Sequence, residues 1–184
     1  MTNYDKIILG IDPGTQLMGY GLIGIINKKP ELIIMGVIEL KKITDPYLKL
    51  KHIFERTLHL IDEYKPDDLA IESPFLGKNP QSMHKLGRAQ GAAIAACLQR
   101  EVAITEYAPL KIKQAITGNG LAAKEQVAKM LQNLLKFEEI PKDLDATDGL
   151  AAAICHYYQL QSPISNSKSK SWADFAKKNS NRIK

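Results

Sequence analysis

The feature that most constrains this chain is an apolar run that stops at a single carboxylate. Ile7 to Gly21 reads I-I-L-G-I-D-P-G-T-Q-L-M-G-Y-G. Residues 7 to 11 are apolar or Gly without alternation, the pattern of a strand covered on both faces in the middle of a sheet. Asp12 falls where that strand ends, and Pro13-Gly14 turns the chain tightly. Gly19, Gly21 and Gly24, set among Tyr20, Leu22 and Ile23, read as a second strand hairpinned against the first, with glycines that admit a close backbone approach. Asp before Pro-Gly is commonly a turn former bonded to its own backbone, and by itself Asp12 would be read that way.

Further along, Glu31 to Leu40 predicts a third strand, so the chain opens as a three-stranded meander. Pro46 to Tyr64 carries apolar residues at helical spacing and ends at Lys65-Pro66. Asp68 to Glu72 then repeats the opening design: a short apolar strand, an acid at its end, and a Pro-containing loop at Ser73-Pro74-Phe75. Gln81 to Arg100 predicts a helix whose Gly87, Gly91, Ala92, Ala93, Ala95 and Ala96 form a small-residue surface, suited to close packing on the sheet or on a second subunit. Val102 to Tyr107 predicts a fifth strand. Helices follow over Pro109 to Thr117, Ala123 to Phe137 and Asp145 to Leu160, the second with Val127, Met130, Leu131, Leu134 and Leu135 on one face.

The 184 residues suffice for one domain with a full core. With no apolar stretch of about 18 residues and no signal-peptide pattern, a soluble, unexported, cytoplasmic protein is expected, with no membrane contact. Cys97 and Cys155 lie in apolar helical patterns without metal-ligand spacing and read as reduced core thiols. Charge divides the chain. Residues 1 to 161 carry 19 acids and 19 Lys/Arg, whereas 162 to 184 carry six Lys/Arg against one Asp, so the net +5 belongs to the tail. The reading is a domain over 1–161 and a basic, flexible C-terminal tail over 162–184, in which Trp172 and Phe175 could form one docked helical turn. Within the neutral part, Ser73 to Lys124 holds seven Lys/Arg against two Glu. A cationic middle beside acidic strands suits a phosphate-facing surface, although solvated helix faces also collect lysines.

Asp145 and Asp148, three apart in the first turn of a helix, share a face. Acids at a helix N-terminus need no explanation beyond capping. Together with Asp12 and Glu72, however, they make four oxygen donors of the kind Mg²⁺ takes, and two such ions roughly 3.5–4 Å apart serve phosphodiester hydrolysis. The four histidines, His52, His59, His84 and His156, are scattered as surface or partly buried polar residues, and no Ser/His or Cys/His nucleophile competes.

These acids sit in an ordered string of motifs: I-D-P-G-T near the N-terminus, then E-S-P-F-x-G-K-N, K-L-G-R-A-Q-G, Y-A-P-x-x-I-K-Q, G-x-x-x-K-E-Q-V and D-A-T-D-G-L-A-A-A-I-C-H. The string resembles the RuvC family of Holliday junction resolvases from about Ile7 to Tyr158. The resemblance implies an α/β, RNase H-like fold: a mixed five-stranded sheet with helices on both faces. It implies a homodimeric endonuclease that nicks two opposing strands of a four-way DNA junction, using Mg²⁺, two ions per site, with Mn²⁺ able to substitute. It makes Asp12, Glu72, Asp145 and Asp148 the metal-binding catalytic carboxylates, and RuvA and RuvB the branch-migration partners. Lys113 and Lys124 match basic positions near the active site and Phe75 an aromatic that enters the junction. Lys78, Lys85, Arg88 and Lys111 complete the candidate DNA-binding set. Asp143 is read as a cap outside the site.

Three other readings compete. A structured-RNA nuclease would share the carboxylates but not the motif string. The I-D-P-G-T string also suits the phosphate loop of actin-like ATPases and sugar kinases, which need a second, duplicated domain that does not fit in this length. A junction-binding module without catalysis has no reason to keep four acids beside a cationic surface, where they repel phosphate.

Overall fold

The computed structural model describes residues 3–74 and 79–161. Phe75, Lys78 and the tail with Trp172 and Phe175 lie outside the described residues. The elements run β1 (Lys6–Asp12), β2 (Leu17–Ile26), β3 (Lys29–Glu39), α1 (Pro46–Tyr64), β4 (Asp68–Glu72), α2 (Pro80–Leu98), β5 (Ala103–Tyr107), α3 (Pro109–Thr117), α4 (Lys124–Leu135) and α5 (Asp145–Gln161). One sheet holds all five strands in the order β3-β2-β1-β4-β5. The opening meander is antiparallel, whereas β4 joins β1, and β5 joins β4, in parallel. Each parallel step is made possible by a helix that carries the chain back across the sheet.

Strand alternation separates two cores. Leu9, Ile11, Leu69 and Ile71 face one side, where α1 supplies Ile53, Leu60 and Ile61 and α2 supplies Ala89, Ala93, Ala96 and Cys97. Ile8 and Ala70 face the other, against α3, α4 and α5. Helix ends follow local chemistry. The Asp45 carboxylate caps α1 by accepting from the amides of Tyr47 and Leu48, both at 2.8 Å, and Lys65 closes it in the left-handed region at φ 49°. Asn79 caps α2 through the amides of Gln81 and Ser82.

The close approach for which the strand glycines leave room is made by α5. A side chain on Gly19 would fall on the carbonyl of Asp145, and one on Gly10 on that of Gly149. From the helix side, a Cβ on Gly149 would stand 2.6 Å from the Cα of Tyr20. No larger residue fits on either surface, so the helix lies flush on β1 and β2. From Ala146 to Tyr157 all but Asp148 are buried, which is why α5 is apolar nearly all round.

The small residues of α2 divide between two faces. Gly87 and Gly91 have open space where a Cβ would be and do not touch the sheet; the alanines on the opposite face do. On α4, Val127, Ala128 and Leu131 are buried while Met130 and Leu134 stand at the surface, because the helix packs along a narrower stripe than its apolar pattern suggests. Both cysteines are free and buried, as expected.

Gly149→Ala should therefore lift α5 off β2. Overpacking of this kind costs about 1–3 kcal/mol, to be read as a lower urea midpoint.

Candidate active site

Asp12 and Glu72 end neighbouring parallel strands whose last paired residues are Ile11 and Ile71. Side chains alternate along a strand, so Asp12 shares the face of Ile8 and Gly10, and Glu72 that of Ala70. That is the face α5 covers. The helix begins with the amides of Thr147 and Asp148 bonded to the Leu144 carbonyl, and its first turn carries Asp145 and Asp148. Gly19, the partner of Asp12 across the β1–β2 ladder, is the residue against which the Asp145 backbone rests. Asp12, Asp145 and Asp148 thereby each place a carboxylate oxygen within 4.8 Å of the others. Glu72 stands beside this trio, coupled to it by charge. Asp143 is exposed and outside it; its backbone carbonyl accepts from Ala146 at 3.2 Å.

Crowding raises the cost of ionisation. Burial, then the charges of Glu72 and Asp148, push the Asp12 carboxyl well above the usual carboxylate range. Burial, with Asp148 adding to it, lifts Glu72 to about 7. Asp148 is raised by burial as well, against the opposing pull of Lys124. The Lys124 ammonium, from the first turn of α4, lies on Asp148 and 3.3 Å from Asp145. Burial pulls its pKa down, but the hydrogen bond and charge of Asp148, with Asp145 and Asp12, more than reverse this and keep it protonated.

The remaining basic candidates divide. Lys113 donates to the Ala122 carbonyl at 2.9 Å, tying α3 to the loop before Lys124, and its charge is felt at Glu72 and Asp148. Lys111 instead lies over the Tyr107 ring, 5.2 Å from its centroid. Lys85 and Arg88 stand on α2 around a separate cavity with Lys49. Two supporting residues escaped the sequence reading. Gln90 is buried and donates to Glu106 at 2.8 Å and to the Glu72 carbonyl at 3.4 Å. Its one signal was a polar residue on the buried face of a helix otherwise lined with alanine. His156 is buried against Tyr107, 2.7 Å from its hydroxyl, with Asp68 at 3.3 Å from the other ring nitrogen. Burial, opposed by Asp68, lowers its pKa and favours the neutral ring.

The donor set fits a hard divalent cation. All the ligand atoms are carboxylate oxygens, they converge, and a lysine ammonium already occupies the place of a positive charge between two of them. A mixed five-stranded sheet with acids at the ends of two central strands and on the covering helix defines an RNase H-like fold bearing a nuclease-type acidic centre.

The family model for crossover junction endodeoxyribonuclease RuvC matches residues 8–156. The chain is 59% identical to the crossover junction endodeoxyribonuclease RuvC of Bacteroides fragilis, over 98% of this chain and 97% of that protein. Identity to the Porphyromonas gingivalis protein of the same name is 53%, over the whole of both chains. Among solved structures, Thermus thermophilus RuvC in complex with a Holliday junction substrate superposes with a TM-score of 0.78 at 29% identity, covering 85% of this chain and 95% of that one. This chain belongs to the RuvC family of crossover junction endodeoxyribonucleases.

The raised carboxyls make stability depend on pH in a definite direction. Glu72 titrates near 7 in the folded chain against 4.5 for a free Glu, so its protonated form favours folding. Without divalent cation, this contribution is complete below about pH 4.5 and is lost as pH rises through 7. In calorimetry without cation, the melting temperature should fall across that window, and fall less in Glu72→Gln. Asp12→Asn, relieved of a buried like charge, should melt higher than wild type at pH 8. Added Mg²⁺ should close that gap by stabilising wild type alone.

Proposed function

We propose that this protein cuts four-way DNA junctions by paired nicking of opposing strands, with Mg²⁺ held by Asp12, Glu72, Asp145 and Asp148. The observation that carries this reading is the convergence of three of these acids beside Glu72 and Lys124, on a chain of this family. When bound, the cation supplies charge for the phosphodiester in its transition state and an activated water. The chain's own residues set the rest. Glu72, lifted to about 7 by burial, is close to half protonated at neutral pH, and a bound cation would favour its ionised form. Lys124 stays protonated beside Asp145 and Asp148, where its ammonium would serve the scissile phosphate or the departing oxygen. Lys113 holds the loop that aims Lys124. The Asp12 turn and the α5 N-terminus, locked together through glycine, keep the donors from spreading under their own repulsion.

A homodimer belongs to the same proposal. Gly87, Gly91 and Ala95 recur at four-residue spacing on the exposed side of α2, and exposed Leu98 extends the stripe. Small residues in such a row let a second backbone come close. Two copies related by a two-fold axis would each present one site, matching the symmetry of two opposing strands. We further propose that residues 162–184 act as a basic arm outside the domain, and that RuvA and RuvB are the working partners in the cytoplasm.

Mixed with a synthetic four-way junction, a linear duplex and a structured RNA, the protein should nick only the junction, in pairs, and only with divalent cation. Asp12→Asn, Glu72→Gln and Asp148→Asn should each slow nicking at least about a hundredfold, the equivalent of roughly 3 kcal/mol of transition-state stabilisation. Junction binding should stay within a few-fold of wild type, since the phosphate contacts remain. Full nicking by the Asp12→Asn/Glu72→Gln pair would sink the assignment.

Gly91→Arg tests the dimer without disturbing the core. Sedimentation should show wild type as a dimer and the variant as a monomer with an unchanged circular dichroism spectrum. Paired nicking should give way to isolated single nicks.

A further inference from the structure

Away from the carboxylates, a cavity of about 190 Å³ opens between the turn after Asp12, the start of α1 and the middle of α2. Its floor is apolar and fully buried, formed by Leu40 and Ile53. Its walls carry Lys49, Lys85 and Arg88, and among the described residues no Asp or Glu lines it. None of the three cations has a carboxylate partner among the described residues. Lys49 is half-buried and spends one donor on the Thr15 carbonyl at 2.9 Å, leaving two of its three donors. Asp45, the nearest acid in sequence, is occupied in capping α1. At the rim, the Tyr47 ring is 71% exposed, with no core to join.

Each feature asks for something different from a ligand. The floor asks for an apolar face, the walls for negative charge, and the rim offers a flat ring for stacking. At about 190 Å³ the space falls below the roughly 300–1,000 Å³ of drug-sized pockets and suits one planar ring system. A base with its phosphate meets all of these demands. Position agrees: Thr15 is three residues past Asp12, so its Cα lies within about 11 Å of that carboxylate's Cα, a nucleotide or two from a strand being cut.

We propose that this cavity holds a single unpaired nucleotide of the substrate, its base over the apolar floor and against Tyr47 and its phosphate between Lys49, Lys85 and Arg88. The pocket rests on the reading of the chain as a junction nuclease. It adds a second grip beside the acids: a nucleotide withdrawn from the duplex there fixes the strand that passes over Asp12.

The test places 2-aminopurine at one position at a time around the crossover and reads its fluorescence with full-length Asp12→Asn protein. One position beside the scissile phosphate should be quenched on binding. Adding Tyr47→Ala, or Thr44→Trp to fill the exposed mouth, should abolish that quench and weaken junction Kd about fivefold or more, while the melting temperature holds. Absence of any quenched position, or a quench that survives both variants, overturns the pocket. If wild type fails to nick junctions, the functional reading falls separately. The pocket is then judged by NMR titration with oligothymidylate against inorganic phosphate. Shifts at Thr15 and Tyr47 with the oligonucleotide alone support it; shifts of equal size with phosphate, or none, reject it.

Discussion

The site depends on one contact: the first turns of α5 lying on the glycines of β1 and β2 with no side chain between. A helix packed on a sheet through ordinary side chains would stand several ångströms farther off. Asp145 and Asp148 would then hang clear of Asp12, and three oxygens within 4.8 Å of one another would be out of reach. Gly10 and Gly19 on the strands and Gly149 on the helix remove that spacing from both sides. The result is a mutually repelling set of acids held by packing that has nothing to do with charge.

This separation of support from chemistry recurs around the centre. Neighbouring carboxylates and burial destabilise the ionised state of Asp12 and Glu72, and the fold carries that cost because the apolar faces of the sheet and α5 hold them regardless. Lys124 lowers the cost in the resting protein by lying on Asp148. Gln90 and Lys113 each join two segments beside the site, Gln90 through the Glu106 carboxylate and the Glu72 carbonyl, Lys113 through the Ala122 carbonyl.

The two faces of the sheet have different duties. The α5 face carries the acids at the strand ends. The α1–α2 face supplies a packed core, an outward stripe of small residues on α2, and a cationic cavity that opens beside the Asp12 turn.

Much of this was legible in the chain itself. Strand ends at Asp12 and Glu72 follow from apolar runs that stop at an acid, and a buried α5 from its lack of any polar face. Sequence periodicity reports which residues share a face, so the pairing of Asp145 with Asp148 was also fixed locally. Which elements meet is not a local property. The glycines of β2 announced a close approach without naming its partner, and only the packed fold identifies α5. Gly87 and Gly91 gave the same signal on α2, yet there the fold turns them to solvent. His156 and Gln90 looked like ordinary polar residues because burial of a polar group depends on partners far away in the chain, Tyr107 and Glu106. The cavity beside Asp12 joins a turn and two helices whose separate sequences show only scattered cations and one tyrosine. Composition and period determined the elements and the acids; the distances between them were decided by tertiary packing, because volume is shared among residues that the sequence does not place side by side.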